Sequence, residues 1–257
     1  MQKKKKNDNF LGFNQEDATE FLIFILDIFH DVCKINVEMK IKGTVQNNLD
    51  EIAKKCYQQF INYHKNEYSL FTKLFYYMSV TSNYSIETNK LISQSFQSNF
   101  ILDIPIPTIK NCSIYDCLDL YFKDSQLSGD NGIVEEKTNI KHNVIQKVSL
   151  WNTPQILIIS FKRFSYTGRK NNQLIWFPID ILDISKYVSG YNNQKSKYSL
   201  YGICNHSGVL SGGHYTAYIK KNNKWYLCND SNITEIHSVE NNLISSKSYC
   251  LFYRKIN

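Results

Sequence analysis

Residues 212–231, GGHYTAYIKKNNKWYLCNDS, decide the fold of this chain. Two runs rich in β-branched and aromatic residues flank Asn222 and Asn223, residues that tolerate the left-handed backbone of a tight turn. A hairpin symmetric about that pair places His214 and Asn229 on one face as diagonal neighbours, roughly 7–8 Å apart at their Cα atoms. The sequence therefore predicts an antiparallel hairpin with an imidazole within reach of an amide.

A histidine oriented by an asparagine forms the base half of a cysteine-protease triad. The imidazole accepts the proton of a thiol, while the amide oxygen fixes its tautomer and direction. A histidine beside two glycines is more often an ordinary strand-end residue. From the residues alone, the catalytic and the structural interpretations of His214 both stay open.

The rest of the chain divides into a helical first part and a strand-rich second part. Residues 14–32, NQEDATEFLIFILDIFHDV, have helical periodicity with Asn14 as the expected N-cap, and residues 52–75 predict one or two further helices. The apolar stripe expected to face the core, with Cys33 on its flank, is Ala18, Phe21, Leu22, Ile25, Phe29 and Val32. Helices followed by antiparallel strands predict an α+β domain.

Composition excludes several classes of protein. The 257 residues are 42% hydrophobic and 21% charged, which is typical of a globular domain, and no apolar run is long enough to span a bilayer. The net charge of +7 depends largely on the lysines at 3–6, so we expect neither nucleic acid nor membrane as a partner. Seven cysteines without a CxxC spacing predict reduced thiols in the cytoplasm or the nucleus.

Four segments resemble, in order, motifs of the ubiquitin-specific proteases, which are papain-like cysteine deubiquitinases. They are GFNQEDATEFLIFILDIFHD, PQILIISFKRFSY, WFPIDILDISKYV, and NHSGVLSGGHYTAYIKKNNKWYLCNDSNITEI with the closing SSKSYCLFYRKI. The resemblance implies an α+β papain-like cysteine proteinase fold with thumb helices, fingers and an antiparallel palm sheet. The expected parts are a mobile basic terminus at 1–9 and a catalytic domain at 10–257, with a helical thumb part at 10–77, fingers at 78–150 and palm at 151–257.

The same resemblance implies catalytic roles for three residues near the C-terminus. His214 matches the general base, and Asn229 matches the residue that orients it. The adjacent Asp230, which the hairpin register places on the other face, is the fallback orienter. His206 is expected to be a loop histidine without a role.

It also implies a site for the C-terminal tail of ubiquitin. Asp17 matches an aspartate that contacts the basic tail, and Tyr215 matches the tyrosine beside the terminal glycines. Gly212 and Gly213 allow close approach of the substrate backbone because they have no Cβ. Residues 209–213 correspond to a mobile loop that opens to admit the tail.

The chain departs from the family by lacking its nucleophile box. No segment resembles GLxNLGNTCYMNS, and none of the seven cysteines has a Gly-Asn context, so we assign no nucleophile and expect the front of the thumb to be missing. The box would also supply the oxyanion-hole asparagine. Since loss of a triad member costs several orders of magnitude in rate, the chain alone is expected to be inactive.

A second departure concerns zinc. The two cysteine pairs that bind zinc in many family members match Ser82 and Ser85, and a region near Glu135 and Thr138. These side chains do not supply the thiolates of a four-cysteine site, so we predict no zinc and no other cofactor. The fingers must then be held by strand pairing and packing, and we expect them to be the least stable part.

Two functions fit these observations. The first is a domain of a thiol-dependent deubiquitinase that hydrolyses the bond after the C-terminal glycine of ubiquitin. The second is a catalytically inactive pseudoenzyme that binds ubiquitin. Both predict a monomer whose partners are ubiquitin or ubiquitinated proteins. Nucleic-acid binding is a weaker alternative, because most tyrosines lie in strand patterns and not on an exposed basic face.

Overall fold

The computed structural model describes residues 10, 16–191, 196–237 and 242–256. Its first part is helical, as predicted: α1 is Ala18–Cys33, α2 is Asn48–His64 and α3 is Leu70–Phe75. The predicted basic terminus at 1–9 lies outside the described residues.

Helix α1 begins later than predicted. Its N-cap is Asp17, whose extended backbone precedes the helix and whose side chain accepts hydrogen bonds from the backbone N–H of Thr19 at 2.7 Å and of Glu20 at 3.1 Å. The prediction of Asn14 as the cap was therefore wrong, because Asp17 is equally suited to capping and lies nearer the periodic segment. Asn14 itself is outside the described residues.

The second part consists of fourteen described strands and one further α-helix, α4, at Ile114–Tyr121. The strands are β1 Tyr77–Ser85, β2 Leu91–Asn99, β3 Ile101–Ile104, β4 Ser125–Leu127, β5 Ile133–Val134, β6 Lys141–His142, β7 Val144–Leu150, β8 Ile156–Phe161, β9 Leu182–Asp183, β10 Lys197–Val209, β11 Gly212–Lys221, β12 Lys224–Asn229, β13 Asn232–Ile236 and β14 Ser248–Lys255.

These strands form two main sheets. The large sheet has the order β13-β12-β11-β10-β14-β8-β3, with β9 paired to β10, and only the β3–β8 pair is parallel. The smaller sheet has the order β2-β1-β7-β4, and β5 pairs with β6 separately. The large sheet corresponds to a palm and the smaller one to fingers, which confirms the predicted α+β fold.

The β11–β12 hairpin has the predicted register. Lys221 pairs with Lys224, and Ala217 with Cys228, around a two-residue turn. Asn222 and Asn223 have φ values of 50° and 61°, the left-handed conformation that the turn requires.

The main core lies between one face of the large sheet and α4. It contains Tyr198, Leu251 and Tyr253 from the central strands and Ile114 and Leu118 from the helix, all essentially inaccessible to solvent. A smaller core, formed by Ala53, Cys56, Met78, Val80 and Trp151, joins α2 to the fingers.

Helix α1 buries less than its periodicity predicts. It has no buried residue, and Phe21, Phe29 and Val32 of the expected core stripe are 49%, 50% and 79% exposed. Cys33 is exposed as well. Among the described residues, the aromatic partners of α1 are Phe10, which contacts its first turns, and Phe71 of α3. An amphipathic stripe indicates a face able to be buried but does not specify what covers it.

Side chains at the positions that match zinc ligands of other family members make local hydrogen bonds. Ser82 accepts from Gln94 Nε2 at 2.9 Å, and Thr138 Oγ1 donates to Glu135 at 2.6 Å. Across the described ranges, no group of three or more His, Cys, Asp or Glu side chains is placed to hold a metal ion. No helix in the same ranges is long and apolar enough to cross a bilayer. The absence of zinc from the fingers stays a prediction.

Candidate active site

The predicted pairing of His214 with Asn229 is present. His214 lies near the start of β11 and is exposed, while the half-buried Asn229 ends β12. The distance from His214 Nε2 to Asn229 Oδ1 is 2.5 Å. Asn229 is further fixed by its pairing with Asn232 across the tight β12–β13 turn. The sequence-based contact is therefore confirmed.

This contact defines the state of the imidazole ring. The amide oxygen of Asn229 only accepts hydrogen bonds, so His214 Nε2 must carry the proton that is donated to it. In the neutral ring, Nδ1 then carries the lone pair. The histidine is thus oriented with its basic nitrogen available to an incoming proton donor.

Asp230 is not brought to this imidazole. It occupies the β12–β13 turn with a φ of 51°, and among the described contacts it forms no hydrogen bond or ion pair with His214. The left-handed turn directs the chain away immediately after Asn229. The structure therefore gives no contact to support Asp230 as the fallback orienter.

None of the seven cysteines, all of which are described, forms a hydrogen bond with His214. Cys204 and Cys228 flank Ala217 on the opposite face from His214, as strand alternation requires. Burial raises the pKa of Cys204 to about 11, which disfavours its thiolate. The structure identifies no thiol that could act as the nucleophile.

The two predicted contacts of the ubiquitin tail, Asp17 and Tyr215, lie together at the start of α1. The Tyr215 hydroxyl accepts a hydrogen bond from the backbone N–H of Ala18 at 3.2 Å, and the Tyr249 hydroxyl donates one to Asp17 Oδ2. Burial and the nearby Asp17 carboxylate raise the pKa of Tyr215 to about 12, so this phenol stays protonated at neutral pH. A cap, a carboxylate and two phenols therefore form one cluster, and alternation along β11 places Tyr215 on the opposite face of the sheet from His214.

His206 and Tyr249 belong to this cluster and were missed as site residues. The His206 ring lies 4.7 Å from that of Tyr215 and 5.9 Å from that of Tyr249. His206 is only 1% exposed in β10, so its assignment as a loop histidine was wrong. Strand alternation could have predicted the place of His206 in this cluster, because His206 pairs directly with Tyr215 in the β10–β11 ladder.

The glycines at the tip of the β10–β11 hairpin differ in environment. A Cβ added to Gly212 would have no atom within 4 Å, which leaves space for a substrate backbone. Gly208 has a φ of +116°, and an added Cβ would lie 2.5 Å from Gly213 Cα. Residues 209–213 were expected to form a loop, but Val209 pairs with Gly212 and the turn has only two residues. The strands therefore extend further than predicted, because the Gly208–Gly213 pair lets them approach closely.

The protein is an α+β domain of papain-like fold. Its large sheet carries a histidine that an asparagine orients, and these two features together define its class. The family model for ubiquitin carboxyl-terminal hydrolase matches residues 1–253. The chain therefore belongs to the ubiquitin carboxyl-terminal hydrolase family, and within it to the ubiquitin-specific proteases.

Curated relatives agree with this assignment. The chain is 32% identical over 256 residues to ubiquitin carboxyl-terminal hydrolase Usp2 of Drosophila melanogaster, covering 97% of this chain and 27% of the relative. It is 32% identical over 252 residues to ubiquitin carboxyl-terminal hydrolase 2 of Gallus gallus, covering 95% of this chain and 69% of the relative.

Solved structures share the fold. A chain of the SAGA DUB module of Ubp8, Sgf11, Sus1 and Sgf73 bound to monoubiquitin superposes with a TM-score of 0.71 at 23% identity, covering 98% of this chain and 51% of that chain. The same module bound to ubiquitin aldehyde gives a TM-score of 0.69 at 23% identity, covering 98% and 52%. The present chain thus spans about half the length of the solved chains that it matches.

Proposed function

We propose that this chain supplies the general base and the ubiquitin-tail site of a thiol-dependent deubiquitinase. The observation that carries this proposal is the hydrogen bond between His214 Nε2 and Asn229 Oδ1, which leaves the ring's basic nitrogen available. Members of the matched family are ubiquitin carboxyl-terminal hydrolases, and two solved structures of the same fold contain monoubiquitin or ubiquitin aldehyde.

The proposed reaction needs a thiol from outside the residues found near His214. His214 would accept the thiol proton, and the thiolate would attack the carbonyl carbon of the last glycine of ubiquitin. His214 would then protonate the leaving amine, which leaves an acyl-thioester. Water, deprotonated by His214, would hydrolyse this ester and restore the thiol. Without the thiol, the chain alone should not turn over substrate.

The proposed substrate is the basic C-terminal tail of ubiquitin. Asp17 supplies the charge complement, and the open space above Gly212 admits the tail backbone beside His214. Titration of isotopically labelled ubiquitin with the chain, followed by NMR, should perturb the tail amides. Asp17→Asn preserves the helix cap but removes the charge, and it should weaken binding roughly ten-fold.

Glu20→Gln is the matched control, since Glu20 lies in the first turn of α1, is exposed and forms no side-chain hydrogen bond with a described residue. This variant should bind ubiquitin like the wild type. Failure of a folded wild-type chain to bind ubiquitin at millimolar concentration would contradict both functions that the sequence predicts.

A pseudoenzyme that binds ubiquitin is the second candidate, favoured by the absence of any cysteine in contact with His214. Sequencing the transcript upstream of the Met1 codon separates the two. An in-frame cysteine box predicts a gene product that hydrolyses ubiquitin amide substrates and loses this activity in His214→Ala. An in-frame stop codon predicts ubiquitin binding without turnover.

We also propose that the chain is a monomer and acts in the cytoplasm or the nucleus. The net charge of +7 favours a monomer, because like charges repel. The seven unpaired thiols favour a reducing compartment. Light scattering of the purified chain and imaging of a tagged copy test the two statements separately. A concentration-dependent mass or a secreted product would contradict them.

A further inference from the structure

A cavity of about 700 Å³, the basic cavity, is lined by Thr108 and by residues 162–165 and 169–173. No Asp or Glu is among the described residues that line it. Four of the lining residues are cationic, namely Lys162, Arg163, Arg169 and Lys170.

The wall of the cavity is an ordered hairpin at residues 163–171. The backbone N–H of Asn171 donates to the carbonyl of Arg163 at 2.6 Å, and the N–H of Ser165 donates to the carbonyl of Arg169 at 3.0 Å. These bonds fix the backbone on both sides of the turn. The cationic side chains are therefore carried by a preformed element, which lowers the entropy cost of binding a ligand.

Arg163 places a buried positive charge at this wall. It is 1% exposed, and its Nε and Nη1 atoms donate to the carbonyls of Ser248, Asn171 and Gln173 at 2.7 to 2.9 Å. Its Nη2 has no hydrogen-bond partner, and no carboxylate in the described part of the chain forms an ion pair with it. Buried charges are ordinarily compensated by an opposite charge. The acceptors of Arg163 are neutral carbonyls, so its guanidinium has no anionic partner among the described residues.

Two further cations lack a carboxylate. The Arg169 side chain is exposed and forms no ion pair with a described residue, and Lys170 Nζ donates to the neutral carbonyl of His206 at 2.7 Å. Lys162 differs, because its Nζ lies 3.7 Å from Asp103. The cavity thus has an excess of three positive charges.

The pKa of Lys170 also reflects this excess of positive charge. Burial, followed by the nearby positive charges of Arg163 and Lys247, lowers the pKa of Lys170 below its usual value. A bound anion would relieve this repulsion and raise the pKa of Lys170.

We propose that the basic cavity binds an oxyanion of the phosphate type. A dianion balances more of the three uncompensated charges than a single carboxylate does, and guanidinium groups match the geometry of phosphate oxygens. The phosphate is supplied either free in solution or on a phosphorylated side chain of a partner protein. This proposal goes beyond deubiquitination and does not depend on it.

The test is calorimetric titration of the full chain with inorganic phosphate and with a short peptide that contains one phosphoserine, at constant ionic strength. Arg169→Ala removes an exposed side chain and should leave the fold intact, which circular dichroism checks. It should weaken binding of both probes at least about ten-fold, the usual effect of losing a charge-assisted hydrogen bond. Lys55→Ala removes an exposed cation on α2 as a matched control and should bind like the wild type.

The two probes distinguish the source of the phosphate. Tighter binding of the phosphopeptide, lost in Arg169→Ala, supports a phosphorylated protein segment, whereas equal affinity for both probes supports a free anion. The proposal is overturned if the wild type binds neither probe, if Arg169→Ala and Lys55→Ala weaken binding equally, or if a peptide with glutamate in place of phosphoserine binds as tightly.

Discussion

At the scale of single residues, Asn229 controls which nitrogen of His214 carries the proton. The two atoms in contact are the ring Nε2 and the amide oxygen, and the pairing of Asn229 with Asn232 fixes the backbone that carries this amide. A cysteine hydrolase requires this arrangement, because its base must present an unprotonated nitrogen to the thiol. The tautomer can be measured in the isolated chain, whether or not the chain is active.

The expected tautomer of neutral His214 in the wild type is the one protonated at Nε2. Asn229→Ala removes the acceptor and should increase the fraction protonated at Nδ1, as seen by long-range proton–nitrogen NMR of the ring. Asn232→Ala is the control, because it changes an exposed neighbour without an acceptor contact to the ring. A wild-type ring protonated mainly at Nδ1 would contradict the geometry.

A second prediction at this scale concerns His64, which is 5% exposed and bonded through Nε2 to Ser98 Oγ at 2.7 Å. Burial, with the nearby His30, lowers its pKa to about 4 from 6.5, so the folded state disfavours the charged ring. The unfolded chain binds the proton first as pH falls below 6.5. The stability contributed by neutral His64 is therefore complete above pH 6.5 and is lost progressively between pH 6.5 and 4.

Urea unfolding at pH 7.5 and pH 5 measures this effect. We expect His64 to account for a loss of roughly 1 to 2 kcal/mol in the free energy of unfolding at the lower pH. His64→Gln should show a smaller pH dependence. His237→Gln, which changes an exposed histidine, should retain the wild-type dependence. Equal pH dependence in all three proteins would exclude His64 as its source.

At the scale of elements, α1 shows where periodicity stops being informative. The helix exists as predicted, but Val32, on its expected core face, is 79% exposed. Val32→Ser should therefore change the free energy of unfolding by less than about 0.5 kcal/mol. Ile104→Ala, at a fully buried position in β3, should cost about 2–5 kcal/mol in the same denaturation experiment. A large cost at Val32 would show that this face is covered in solution.

The elements also show which features the sequence could predict. The β11–β12 register followed from Asn222 and Asn223, because a two-residue turn fixes the parity of every facing pair. That parity placed His214 beside Asn229. The start of α1 and the burial of His206 were missed, because several residues are suited to capping and because burial depends on neighbouring strands distant in sequence.

At the scale of the whole molecule, stability is unequally distributed between the two sheets. The main core joins α4 to the large sheet and contains many fully buried aliphatic and aromatic residues, whereas the core that ties the fingers to α2 contains five buried residues. Fewer buried apolar contacts mean that the fingers open at lower free energy. We therefore expect backbone amides of β2 and β4 to exchange with solvent faster than those of β10 and β14.

Hydrogen exchange followed by mass spectrometry tests this order directly. Because Ser82 and Ser85 stand at positions where many family members have zinc-binding cysteines, addition of EDTA should leave the exchange of the fingers unchanged. Acceleration of exchange in β2 and β4 by EDTA would reveal a structural metal and would overturn the prediction that the fingers are held by strand pairing and packing. Equal protection of the two sheets would instead show that they open together. The small core would then be sufficient to hold the fingers to the rest of the molecule.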